Sequence, residues 1–90
     1  MQLCWDETKR QATQANRGLD FADAAVVFSG AVFELEDARK DYGEKRMSTF
    51  GLLQRSFVVL VWTLRGADRR IISMRYANER EIVKYANRMG

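Results

Sequence analysis

Hydrophobic and polar positions change period along this chain, from the spacing of helices to that of strands and back. Met1 to Trp5 is a short apolar stretch that predicts a strand. Asp6 is placed to cap a helix running to about Asn16, with Ala12 and Ala15 on its inner side. Gly18 would end that helix in the way a C-terminal glycine does. Asp20 opens a second helix, and Asp23 in its first turn suits the macrodipole. Phe21, Ala24, Ala25 and Phe28 recur at i, i+3, i+4 and i+7, an apolar stripe that ends at Gly30. The two short helices predict an N-terminal helical hairpin.

The period then becomes two. Ala31, Phe33 and Leu35 alternate with Val32, Glu34 and Glu36, as in a half-buried strand. A charged loop, Asp37 to Glu44, follows. Lys45 to Leu53 and Ser56 to Arg65 read as strands joined by a tight turn at Gln54-Arg55. The second of these is the most apolar and is expected at the centre of the sheet. Gly66-Ala67-Asp68 makes another turn, and Arg69 to Tyr76 is the last strand. Asn78 with Glu81 three residues on is a capping-box pattern. It opens a final helix with Ile82, Val83, Tyr85, Ala86 and Met89 on its inner side. The order predicts an α+β domain: three to four antiparallel strands with helices on one face and the other face free. By parity, Ile72 and Met74 face the helix-covered core with Arg70, while Ile71, Ser73 and Arg75 look out from the open face.

Composition narrows the function. Ninety residues, 47% hydrophobic and without proline, make one globular domain, residues 1–90. The longest apolar run, Phe57 to Trp62, is far too short to span a bilayer, and the first residues do not resemble a signal peptide. A cytoplasmic location with no membrane contact is expected. Cys4 is the one cysteine, so no internal disulfide can form. Its neighbours Leu3 and Trp5 suggest a buried small hydrophobe more than a reactive thiol. The chain has no histidine, which removes Ser-His-Asp triads, Cys-His dyads and histidine zinc ligands. A catalytic base would have to be a carboxylate, lysine, tyrosine or perturbed arginine. Charge is uneven: five basic against nine acidic residues in 1–44, then ten against three in 45–90. A basic half attracts polyanions by counterion release. It can equally be a solvated face that offsets the acidic half.

Several segments together carry a resemblance. They are Trp5-Asp6-Glu7-Thr8-Lys9, Gly18-Leu19-Asp20-Phe21 with Asp23-Ala24-Ala25 and Phe28, and Tyr42-Gly43-Glu44-Lys45-Arg46. The last is Arg70-Ile71-Ile72-Ser73-Met74-Arg75 with Ala77, Glu81 and Tyr85. In order and spacing this set resembles the BrnT-type toxins of bacterial type II toxin–antitoxin modules. The resemblance implies a RelE/ParE-like fold and a small ribonuclease that arrests growth and is neutralised by a cognate antitoxin. The residue types themselves, arginines with a glutamate and a tyrosine, predict chemistry that needs neither metal nor cofactor. The resemblance also implies a BrnA-like antitoxin with a ribbon-helix-helix DNA-binding region, so that DNA is contacted only through the antitoxin. Carried over by position, the family's polar residues fall on Arg46, Arg70, Ser73, Arg75, Glu81 and Tyr85. The family usually has Lys-His where this chain has Asn16-Arg17, and a lysine where it has Tyr76.

Cleavage of RNA through its own 2′-hydroxyl needs a base, cations for the pentacovalent phosphorane, and an acid for the leaving 5′-oxygen. Arg75 on the open face is the candidate phosphate clamp, because guanidinium matches phosphate oxygens bidentately. Its alternative is an ion pair with Glu44 or Glu36. Arg46 and Arg70 are further catalytic candidates. Glu81 can serve as a base, hold an arginine, or simply cap its helix. Tyr85 is a proton donor or a core residue. Arg17, Ser73 and Tyr76 are candidate RNA contacts; Ser73 can also be simply a small residue on the open strand face, and Tyr76 can stack on a base or just cover the sheet edge. Two readings of different class stand: a metal-independent endoribonuclease, and a catalytically impaired homologue that binds an antitoxin or nucleic acid. A plain interaction domain is the third.

Overall fold

The computed structural model describes residues 1–39 and 41–90. A short strand β1 (Leu3–Trp5) leads into helix α1 (Glu7–Arg17). A 3-10 turn, Phe21–Asp23, runs into helix α2 (Ala24–Ser29). Strands β2 (Val32–Glu36), β3 (Met47–Leu53), β4 (Ser56–Arg65) and β5 (Asp68–Tyr76) follow, then helix α3 (Glu79–Tyr85) and a last 3-10 turn, Ala86–Arg88. The architecture is mixed α+β, a five-stranded sheet with three helices.

The helix ends form where the sequence places them. The Asp6 carboxylate accepts the Thr8 and Lys9 amides at 2.9 and 3.3 Å. Gly18 sits at φ 69°, where a side chain would be strained, and its amide bonds back to the Gln14 carbonyl. The inner faces differ from expectation. No residue of α1 is buried, and Ala12 and Ala15 are exposed. Arg10 ties α1 down instead, reaching Asp20 at 2.8 and 3.1 Å. In the second segment Phe21, Ala24 and Val27 are buried, while Ala25 is exposed. The 3-10 start explains this, because three residues per turn aligns positions three apart. The two segments do not close as a simple hairpin: α1 lies over β5 and α2 over β3.

The strand order is β1-β5-β4-β3-β2. β4 is central, and Val58 to Thr63 are all buried, as expected for a strand covered on both faces. The sheet is not wholly antiparallel, since β1 pairs parallel with β5 through Leu3–Arg69, Cys4–Arg70 and Trp5–Ile71. On the face under α1 and α2, Val58, Leu60, Trp62, Ile71 and Met74 pack with Leu19, Phe21, Ala24 and Val27.

The parity argument holds for Ser73, Met74 and Arg75, and two features correct the rest of it. First, β5 carries a bulge: Val61 pairs with Ser73 and Trp62 with Ile71, leaving Ile72 as the extra residue. The faces swap there. Ile71 joins Met74 in the core, and Arg70, opposite Thr63, falls on the face of Ser73 and Arg75 rather than on the core side. Arg69 takes the core side, its guanidinium 3.7 Å from the Phe28 ring centroid and 4.3 Å from that of Trp62. Second, the other face is not free. Phe33, Phe50, Val59 and Arg75 form one cross-strand row, and Tyr85 of α3 packs on it, 5.2 Å from Phe33 and 5.7 Å from Phe50 between ring centroids. α3 thus covers the face opposite α1 and α2. Only Ala77 and Asn78 separate β5 from α3, and the Arg75–Glu81 pair and the Tyr85 ring both join the helix to this face. Val83, expected on the inner side, is 83% exposed.

Candidate functional site

Between α3, the β2–β3 connection and this second sheet face lies a cleft of about 310 Å³. Its floor is Ser48, Phe50, Val59, Val61 and Ser73, and Phe33 and Tyr85 form an aromatic wall. Arg75 and Glu81 stand on one side, and Glu36 to Arg39 on another.

Arg75 is held by Glu81 in a bidentate pair, Nη1 to Oε1 at 2.8 Å and Nη2 to Oε2 at 2.7 Å. Strand parity points Arg75 onto this face, and the capping box fixes Glu81. The Asn78 side chain accepts the Glu81 amide at 2.8 Å, and Glu81 Oε1 accepts the Asn78 amide at 3.0 Å. Glu81 therefore caps its helix and orients Arg75 at once. The Arg75 hydrogen bond holds its carboxyl below the usual range, with the Asn78 amide adding to the effect. A carboxylate stabilised in this way is a weak base. The expected rivals for Arg75, Glu44 and Glu36, pair elsewhere: Glu44 with Arg46 and Arg65, Glu36 with Lys45.

A second pair of the same kind went unread in the sequence. Asp37, with only 3% of its side chain exposed, accepts Arg39 Nε at 2.9 Å and Nη2 at 3.1 Å. The Tyr42 hydroxyl lies 3.5 Å from it. These interactions, the Arg39 hydrogen bond foremost, hold the Asp37 carboxyl below its ordinary range. Each carboxylate lining the cleft is thus paired with a cation.

Of the expected site residues, the cleft gathers Arg75, Glu81, Tyr85 and Ser73. The Tyr85 ring packs as a core residue would, yet among the described residues no hydrogen bond engages its hydroxyl. Ser73 also lines a neighbouring groove with Lys9, Thr13, Asn16 and Arg17, where no carboxylate takes part. There Arg17 donates Nη1 to the Met74 carbonyl at 3.0 Å, on the edge of β5 that β1 leaves uncovered. Arg46 stays outside the cleft, 3.9 Å from the Tyr42 ring centroid and bound to Glu44 at 3.3 Å. Its carbonyl accepts the Asp37 amide at 2.7 Å, so its backbone supports the cleft wall. Arg70 shares the face but does not line the cleft, and Tyr76 falls on the opposite face, 51% exposed. Among the described residues, no three His, Cys, Asp or Glu side chains gather as metal ligands.

A family model described as "Ribonuclease toxin, BrnT, of type II toxin-antitoxin system" matches residues 5–81. The chain belongs to the BrnT family. The match runs from Trp5 in β1 to Glu81 in α3, so it takes in the Arg75–Glu81 pair and ends before Tyr85. BrnT proteins are ribonuclease toxins of type II toxin–antitoxin systems, and an antitoxin partner goes with that class. No curated protein matches the chain. No described helix of this BrnT protein is long and apolar enough to cross a membrane.

Proposed function

We propose that this BrnT chain is an endoribonuclease toxin of RelE-like fold that cleaves RNA in the Arg75 cleft without a metal or cofactor. The 2′-hydroxyl oxygen attacks the adjacent phosphorus and the bond to the 5′-oxygen breaks. The products are a 2′,3′-cyclic phosphate and a free 5′-hydroxyl. Arg75, aimed by Glu81, stabilises the phosphorane, and such preorganised charge is usually the largest catalytic contribution. The Tyr85 hydroxyl donates the proton that the 5′-oxygen takes up, and water accepts the proton of the 2′-hydroxyl. Ser73 and the Lys9–Arg17 groove carry the flanking nucleotide. Arg46 and Arg70 act from outside the cleft, and Tyr76 stacks on no base within it.

The observation that carries this reading is the bidentate Arg75–Glu81 pair at the mouth of a cleft in a ribonuclease-family chain. A second reading, a module that grips RNA or antitoxin without cutting, is favoured by one fact. Asp37 and Glu81 are both locked to guanidinium groups in a chain without histidine. The partner on either reading is a BrnA-like antitoxin, a ribbon-helix-helix protein through which alone DNA is contacted, in the cytoplasm.

Incubating the purified protein with RNA, with and without EDTA, tests the proposal. Cleavage that survives EDTA and leaves cyclic phosphate ends is expected. Intact RNA bound by the protein would select the second reading.

A further inference from the structure

Arg39 enters the cleft from the β2–β3 connection, which reads in the sequence as a charged loop. Its partner is the unusual feature. A surface arginine gains little from an exposed ion pair, yet here the Asp37 side chain is almost wholly buried while that of Arg39 remains 77% exposed. Burying a carboxylate is costly unless it is fully hydrogen-bonded. Asp37 meets that condition with the Arg39 side chain, the Arg39 amide at 3.4 Å and the Tyr42 hydroxyl, and its own amide is fastened to Arg46. The result is a guanidinium with Nε and Nη2 engaged, while no hydrogen bond among the described residues engages Nη1. Across the cleft Arg75 is also held by a carboxylate, through Nη1 and Nη2 to Glu81, and Arg39 adds a small repulsion that the Glu81 hydrogen bond outweighs. Two like charges brought to one cleft are relieved by an anion between them.

Resting on the reading above, we propose that Arg39 is a second RNA phosphate-binding residue facing Arg75, and that Asp37 is its positioning residue. The ligand class is a phosphodiester in single-stranded RNA, gripped from two sides. Arg39 touches the phosphate, and Asp37 acts only through Arg39.

The test uses full-length protein and two probes: a cleavable RNA oligonucleotide, and the same oligonucleotide with 2′-O-methyl groups, which cannot be cut. Binding of the second is followed against salt for wild type, Arg39→Gln, Arg39→Lys, Asp37→Asn, Arg75→Gln and the turn control Arg55→Gln. Loss of one phosphate contact to a single strand lowers the slope of log affinity against log salt by about 0.7. Arg39→Gln should lose that increment and cleave about tenfold or more slowly, with Arg39→Lys recovering the slope and part of the rate. Asp37→Asn should keep the slope and lower kcat, as expected of a charge that is present and no longer aimed. Arg39→Gln with wild-type slope and rate, while Arg75→Gln loses both, overturns the inference and leaves the cleft reading standing. If Arg39→Gln and Arg75→Gln both behave as wild type, the cleft reading fails and the inference falls with it. A thermal melt of each variant shows that the comparisons are made between folded proteins.

Discussion

At the scale of single residues, the site rests on carboxylates that spend their charge on holding arginines. Glu81 is the clearest case, and its pH behaviour follows from its lowered pKa. Such a group contributes stability that is fully present above the unfolded carboxylate value, near 4.5, and is lost as pH falls through the lower folded value. Asp37, held by Arg39, and Asp20, held chiefly by Arg10, have the same sign. The thermal midpoint should therefore stay level from about pH 8 to 6 and decline below about pH 4.5. Glu81→Gln should lie below wild type near neutrality and converge with it in acid. Melting curves across that range check this; parallel curves at every pH would show that the Glu81 charge contributes nothing to stability.

At the scale of elements, much was legible and the misses share a cause. Asp6, Gly18, Gly66 and the Asn78–Glu81 box marked their boundaries correctly, because each acts through its own backbone and needs no distant partner. The central place of β4 was legible from its unbroken apolar run. What depends on tertiary pairing was not. The bulge at Ile72 leaves no local mark, yet it exchanges the roles of Ile71 and Ile72 and moves Arg70 to the other face. The side taken by α3 involves contacts of Glu81 with Arg75 and of Tyr85 with Phe33 and Phe50, which no local pattern shows. Asp37 and Arg39 sit in a loop without periodicity, where a buried pair looks like two solvated charges. A prediction belongs here as well. Gly51 on β3 passes so close to α2 that an added Cβ would lie 2.7 Å from Val27 Cγ1 and 3.2 Å from Val32 Cγ1. Valine is stiff at χ1 and cannot swing aside cheaply. Gly51→Ala should destabilise the fold by about 1–3 kcal/mol, measured by denaturant titration. An unchanged midpoint would mean that α2 shifts freely on the sheet.

At the scale of the whole molecule, the chain divides its charge: the acidic N-terminal half supplies Asp37 and Glu36, and the basic half supplies Arg75. The same division suits an acidic or amphipathic antitoxin segment that covers the Arg75 face. Affinity for the partner should fall in Arg46→Glu/Arg75→Glu and weaken with salt, since exposed attraction is screened over roughly 8–10 Å. Titration at two salt concentrations checks it; unchanged affinity would place the partner elsewhere, as on the acidic N-terminal helices. The central claim is that RNA is cut where Glu81 aims Arg75, and the most direct measurement is the cleavage rate of Arg75→Ala, with its fold verified by circular dichroism. Losing a charge-assisted contact in the transition state is worth on the order of 1.5–3 kcal/mol, so the rate should fall by roughly ten- to a hundredfold. A folded Arg75→Ala protein that cleaves at the wild-type rate would contradict the account.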